Sequence, residues 1–173
     1  MEEMKELFLK TKPDAAKAME RIVAWLNHAI LDRVPVQFHR QDMTHKIDKS
    51  MKDWDSIKAR WFDSEYQVNK FIKSIQNREF LAESFPVFWP NLGPDVYAAL
   101  YGIELEYADE TSYAIHRNEP ISDLLNELQL STENSYFKKL EEMTQLALEM
   151  CEDRYFVGYS DFHPGFDTVG AWR

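Results

Sequence analysis

Only one of the 173 residues is a cysteine, Cys151, so an internal disulfide is excluded, and its apolar helical surroundings fit a reducing cytoplasm. Glycine is also scarce, at five residues. A complete β/α barrel spends more glycine on its turns, so this shortage favours a partial or unusual version. No apolar run approaches the roughly 18 residues of a membrane span. The opening Met1-Glu2-Glu3-Met4-Lys5-Glu6 is acidic and lacks the basic region and apolar stretch of an export signal, and the expected location is cytoplasmic. Basic side chains are outnumbered, 20 Lys and Arg against 30 Asp and Glu, which leaves a formal charge of −10 and no basic stripe on any expected helix. Nucleic acid and anionic membranes are therefore excluded as partners. No repeat or low-complexity tract is present. What is plentiful is apolar and aromatic side chain, 45% and 14% of residues, enough to bury one sizeable core in a single domain over 1–173.

Three short apolar runs set the rhythm: Val34-Pro35-Val36-Gln37-Phe38, Phe85-Pro86-Val87-Phe88-Trp89 and Tyr155-Phe156-Val157-Gly158-Tyr159. Each leads into a polar or Gly/Pro-rich cluster, and helical stretches separate them, as in a β/α fold. Asp14 is placed to cap a helix whose apolar positions Ala15, Ala18, Met19, Ile22, Val23, Leu26 and Ile30 recur at threes and fours. Residues 1–32 thus read as a helical amino-terminal segment, and 33–173 as the first strands and helices of a barrel. Residues 43–54 read as a polar, lid-like loop. A helix is expected over 55–76, a short one ending near Gly102, an alternating strand over 103–107, and helices over 123–128 and 133–151. The fold class is α/β, a partial (β/α) TIM-type barrel. A full barrel takes about 250 residues, and the strands here are too few to close one.

In β/α folds ligands bind beyond the carboxyl ends of strands, which directs attention to three clusters. In the first, Arg40 suits a bidentate grip on a carboxylate or phosphate, or an ordinary ion pair, and His39 adjoins it. In the second, Asn91 is able to orient a bound group or to shape the turn Pro90-Asn91-Leu92-Gly93-Pro94, and Trp89 to wall a pocket for a flat ligand. In the third, Asp161 and His163 suit general acid and base work, with Tyr159 nearby, or else helix capping and packing. Two ligands do not make a metal site, and none is expected. His28, His45 and His116 read as solvated, and the remaining tryptophans mostly as core.

Together Ile30-Leu31-Asp32-Arg33-Val34-Pro35-Val36, the turn 90–94 followed by Ala98-Ala99-Leu100-Tyr101-Gly102, Tyr159-Ser160-Asp161 and the final Ala171-Trp172-Arg173 carry a likeness. From about residue 17 onward the chain resembles the amino-terminal half of the uroporphyrinogen decarboxylase superfamily, which includes cobalamin-dependent methyltransferases acting on methylcobamide and coenzyme M. The resemblance implies a β/α barrel, substrate at the strand ends, and a corrinoid as cofactor in the methyltransferase branch. It is greatest to decarboxylase-like members outside the haem-pathway enzymes. In true decarboxylases an Arg-Gln-Ala-Gly-Arg motif holds substrate carboxylates; here Arg40-Gln41 matches its opening, but Asp42-Met43 follows. By strand order Asn91 stands where the family has its catalytic aspartate, and an amide cannot supply that charge, which disfavours uroporphyrinogen decarboxylation. The zinc ligands of the methyltransferases, a His-x-Cys pair and a distant Cys, have no counterpart, since Cys151 is alone.

Three functions follow as expectations. Corrinoid-linked methyl transfer would use Asp161, His163 and Asn91 as catalytic residues and Arg40, His39, Trp89 and Tyr159 for substrate, which is a small molecule or a corrinoid. A non-catalytic half-barrel would instead bind a ligand or assemble, as a homodimer or with a carboxyl-half partner, through its open sheet edge. An inactive fragment would do neither.

Overall fold

The computed structural model describes residues 7–41, 52–120, 122–123, 126 and 129–172. In chain order the elements are α1 (Ala15–Leu26), β1 (Gln37–Gln41), α2 (Ile57–Trp61), α3 (Ser64–Ile75), β2 (Arg78–Ala82), β3 (Val87–Phe88), α4 (Val96–Ala99), β4 (Leu105–Tyr107), β5 (Ser112–Ala114), α5 (Ser135–Glu149), β6 (Phe156–Val157) and α6 (Phe166–Ala171). The protein is mixed α/β. Among the described residues the strands form three two-stranded sheets, β1 with β2, β3 with β6 and β4 with β5, and no closed barrel. No helix of the described residues is long and apolar enough to cross a membrane. The helix expected over 123–128 and the loop over 43–54 lie largely outside the described residues.

The chain divides into two compact units, the first comprising Met1–Ser50, Asn69–Phe88 and Ala147–Val157, the second Met51–Val68, Trp89–Leu146 and Gly158–Arg173. In the first unit α1 buries Ala15 and Ala18 of the expected face, but it ends at Leu26, so the helical segment expected to residue 32 stops short of Ile30, and Leu26 and Ile30 are exposed. Asp14 does not cap it. Its carboxylate instead accepts a 2.9 Å bond from Lys12 Nζ, and the buried ammonium also donates to Phe80 O (3.1 Å) and Ala82 O (2.7 Å). A buried charge demands such partners, and three acceptors supply them.

The run Val34 to Phe38 is not a parallel barrel strand. The strand begins at Gln37 and pairs antiparallel with β2, in the register Gln37 with Ala82 through Gln41 with Arg78. Pro35 has no N–H, and the Val36 N–H donates 2.8 Å to the Glu83 side chain at Oε2, so neither residue gives an N–H to a ladder, although Val36 O accepts 2.9 Å from Glu83 N. The second and third runs do pair in parallel, Val87 with Phe156 and Phe88 with Val157. This pair retains the expected β/α rhythm, in two residues per strand.

In the second unit Leu92, Val96, Ala99, Ile103, Leu105, Tyr107, Tyr136, Leu140 and Met143 form one buried cluster. The alternation at 103–107 is seen in β4, where Leu105 and Tyr107 are buried and Glu106 is exposed. The helix expected over 55–76 is instead two helices. Asp63 interrupts it, its Oδ1 accepting 3.0 Å from Tyr66 N at the start of α3 and its Oδ2 accepting 3.0 Å from Trp54 Nε1. Asn134 starts α5 in the same way: its Oδ1 accepts from Tyr136 N (2.8 Å) and Phe137 N (3.3 Å), while its Nδ2 donates 2.9 Å to Ala99 O. Replacing it, Asn134→Ala, is expected to cost about 1.5 kcal/mol, read by urea denaturation, because cap and tether go together. A change within error would contradict the tether.

Candidate functional site

Two loops of the second unit follow β3 and β6 in the chain. The first, Pro90 to Pro94, is held from inside. Asn91 Oδ1 accepts 2.7 Å from Gly93 N, closing an Asx-type turn, and Leu92 O accepts from Tyr107 Oη (3.0 Å) and Ser112 Oγ (3.4 Å). Leu92 and Pro90 are buried, while Asn91 is exposed. The carbonyl oxygen of Asn91 therefore takes the turn-shaping role that its sequence setting suggested.

The second loop lies beside the first. Ser160 Oγ donates 2.8 Å to Pro90 O, joining the two strand-end segments. His163 Nε2 stands 3.2 Å from Asp161 Oδ2, with both side chains open to solvent. Asp161 does not cap α6, whose preceding residue is Gly165 with no side-chain cap. The His163 carbonyl is fixed by a 2.7 Å bond from Thr168 Oγ1, and the Phe162 ring packs 5.5 Å from that of Tyr97. In these two loops and at the start of α6, Trp89 is 60% exposed, Tyr159 96% and Phe166 94%. Such exposure is unusual for large rings. Chemically the surface offers flat apolar faces and one carboxylate–imidazole pair able to hold and pass a proton. Trp89, Asn91, Tyr159, Asp161 and His163 thus fall in two adjoining loops.

Arg40 and His39 belong to the first unit. Arg40 Nη2 makes a 2.8 Å bond with Glu79 Oε1 across the β1 and β2 pair, an exposed ion pair, and His39 is exposed opposite Phe80 in the register. The ion-pair alternative describes Arg40 in this structure. Residues not singled out as a site carry a larger electrostatic construction in that unit. Glu83, with no side-chain exposure, is held by Arg33 through bonds of 2.6 and 2.7 Å, by Arg21 at 3.2 Å and by the Val36 N–H. Arg21 also grips Asp32 through bonds of 2.8 and 2.7 Å. Hydrogen bonds from Arg33 first, then from Val36 and Arg21, hold Glu83 down to about 2 despite its burial. The sequence signal was the dipeptide Asp32-Arg33 between apolar neighbours. Ser160 and the exposed Phe166 were the strand-end members that pattern alone did not single out.

Among the described residues no three His, Cys, Asp or Glu side chains are grouped to hold a metal ion. No protein family, curated protein or solved structure matches the chain.

Proposed function

We propose that the chain is a uroporphyrinogen-decarboxylase-like β/α protein, a partial barrel, that binds a small molecule or a corrinoid on the two loops following β3 and β6, in the service of methyl transfer. The observation carrying this is the Ser160 to Pro90 bond, which sets the segment bearing Asp161 and His163 beside the one bearing Trp89 and Asn91. The exposed rings of Trp89 and Tyr159 suit the flat face of a corrin, and Asp161 and His163 suit its amide-bearing rim. When bound, the corrinoid supplies the transferable methyl group. On the protein side, Asp161 orients the His163 imidazole, whose other nitrogen then holds or accepts a proton, and Asn91 keeps the turn under Trp89 in shape. Zinc has no part in the proposal, because the family's His-x-Cys ligand pair is absent from the sequence.

Equilibrium dialysis against methylcobalamin tests the assignment. The wild-type chain is expected to retain it, and Asp161→Ala to weaken retention roughly fivefold, as loss of one hydrogen bond implies, with an unchanged melting temperature. Absence of retention, or equal retention by the variant, would contradict it. One observation favours a second function, assembly without turnover. Trp25, Leu26, Ile30, Leu31, Val34 and Phe38 are all exposed in the first unit, and parallel sheets are ordinarily larger and covered on both faces. Light scattering that shows a discrete dimer, together with no corrinoid retention, would select it.

A further inference from the structure

We propose that the outer edge of β1 pairs antiparallel with the same edge of a second copy of this chain, joining the two β1 and β2 pairs into one four-stranded sheet about a two-fold axis. The inference rests on the assembly reading given above and names its surface, its partner and its register. The two edges of this small sheet differ. Neighbouring residues of an antiparallel strand turn their backbone groups to opposite sides. In β1 the even-numbered residues face β2: Val36 O accepts 2.9 Å from Glu83 N, and Phe38 stands opposite Leu81, its carbonyl also accepting 2.7 Å from Ser84 Oγ. Gln37 and His39 therefore point N–H and C=O away from β2. The matching outward carbonyls of β2, on Phe80 and Ala82, are taken by the buried Lys12 ammonium at 3.1 and 2.7 Å. A lysine thus closes that edge. On the other edge Gln37, Phe38 and His39 are exposed, and among the described residues no hydrogen bond reaches the outward backbone groups of Gln37 or His39.

Two donors and two acceptors on residues two apart match themselves under a two-fold axis. Gln37 of each copy exchanges both bonds with His39 of the other, and Phe38 falls opposite its own counterpart at the closer, non-hydrogen-bonded position. An aromatic pair at that position stabilises a sheet. The next pair sets Arg40 against Val36, so no like charges meet, and Arg40 is already matched by Glu79 at 2.8 Å. Val36 and Phe38, 40% and 52% exposed, lie on one face of the strand and gain cover together. A two-stranded sheet is marginal by itself, and pairing doubles it. Because Lys12 closes the far edge, growth ends at two copies.

Cysteine scanning reads the register. In a Cys151→Ser background, Gln37→Cys, Phe38→Cys and His39→Cys are oxidised and followed by non-reducing electrophoresis. Phe38→Cys should cross-link at least tenfold faster than the other two, since facing non-hydrogen-bonded residues have Cα atoms about 4.5 Å apart, within disulfide reach. His39→Pro removes an outward N–H and leaves every bond to β2. It should weaken the dimer about thirtyfold by light scattering, as loss of two symmetry-related hydrogen bonds implies, with an unchanged far-UV spectrum. The cysteine set decides the register whether or not that proline is tolerated. A dimer that cross-links as fast at 37 or 39, or that survives His39→Pro in a folded chain, overturns this inference and leaves assembly through another surface. A chain monomeric at every concentration, its edge open to some other strand, overturns the inference and the assembly reading together.

Discussion

Gly93→Ala is expected to destabilise the second unit by about 4 kcal/mol, lowering the melting temperature by roughly 12 °C. Two costs combine. Gly93 has φ +102°, a conformation that L side chains rarely adopt, and an added Cβ would overlap Ser112 Oγ and lie 2.7 Å from Ser112 Cβ. Neither neighbour yields easily, because Ser112 is buried within β5 and its hydroxyl faces Leu92 O at 3.4 Å. The second variant needed is Gly93→Ala with Ser112→Gly. It removes the overlap and leaves the backbone cost, so it should recover about 2 kcal/mol of the loss even though glycine weakens a strand. No recovery in the double variant would mean that the close approach of these residues is not what excludes a side chain at 93. Because Asn91 and the Trp89 backbone hang on the same turn, Gly93→Ala should also impair binding at the loop surface at temperatures where the chain is still folded.

Glu83→Gln is expected to cost about 3 kcal/mol, the usual loss when one member of a buried ion pair is removed. The amide offers one acceptor where the carboxylate offers two, and its NH2 points donors at Arg33, Arg21 or Val36 N, which are donors themselves. The stress falls on a strained place: Ala82, immediately before Glu83, has φ +51° and is pinned by Lys12 Nζ at its carbonyl. The pH dependence has a definite sign. Glu83 titrates lower in the folded chain, about 2, than in the unfolded one, near 4.5, so the unfolded state binds the extra proton as acid is added. Its stabilisation is therefore complete above about pH 4.5 and disappears as pH falls toward 2. Asp32, drawn down to about 2 by the Arg21 hydrogen bonds, adds to the same window. Denaturation midpoints measured from pH 6 to 2.5 should fall less steeply for Glu83→Gln than for wild type, without becoming flat. Parallel curves would place the acid sensitivity elsewhere.

The parts of this structure that were legible in the sequence are those written in local periodicity. The threes and fours of α5, with Leu140, Met143 and Ala147 buried, needed no partner to be recognised. Alternation in β4 was equally local. Chain rhythm marked the runs at β3 and β6 as strands of a β/α fold, whereas their parallel pairing with each other is seen only in the structure. What sequence pattern missed depends on distant partners. β2 has no alternation in Arg78-Glu79-Phe80-Leu81-Ala82, and it is a strand because β1 lies alongside it. The break at Asp63 is joined by a bond from Trp54, and the N–H of Val36, just before β1, is taken by the side chain of Glu83, more than 40 positions away. Trp25 belonged by spacing to a set of tryptophans expected mostly in the core, yet it is exposed with Leu26 at the end of α1. For the site, the strand-end rule found Trp89, Asn91, Tyr159, Asp161 and His163 together, but it grouped them with Arg40, whose strand turned out to be half of an antiparallel pair. Position after an apolar run is visible in sequence, whereas the direction in which that run pairs is not.

Hydrogen–deuterium exchange across the full chain, with and without saturating methylcobalamin, tests most directly whether ligand is held by the loops after β3 and β6. Slowed exchange over residues 89–95 and 158–167, with little change over 25–41, is the expected result. Unchanged exchange in both loops, or protection confined to 25–41, would contradict it and assign the chain's binding to the exposed apolar surface of the first unit.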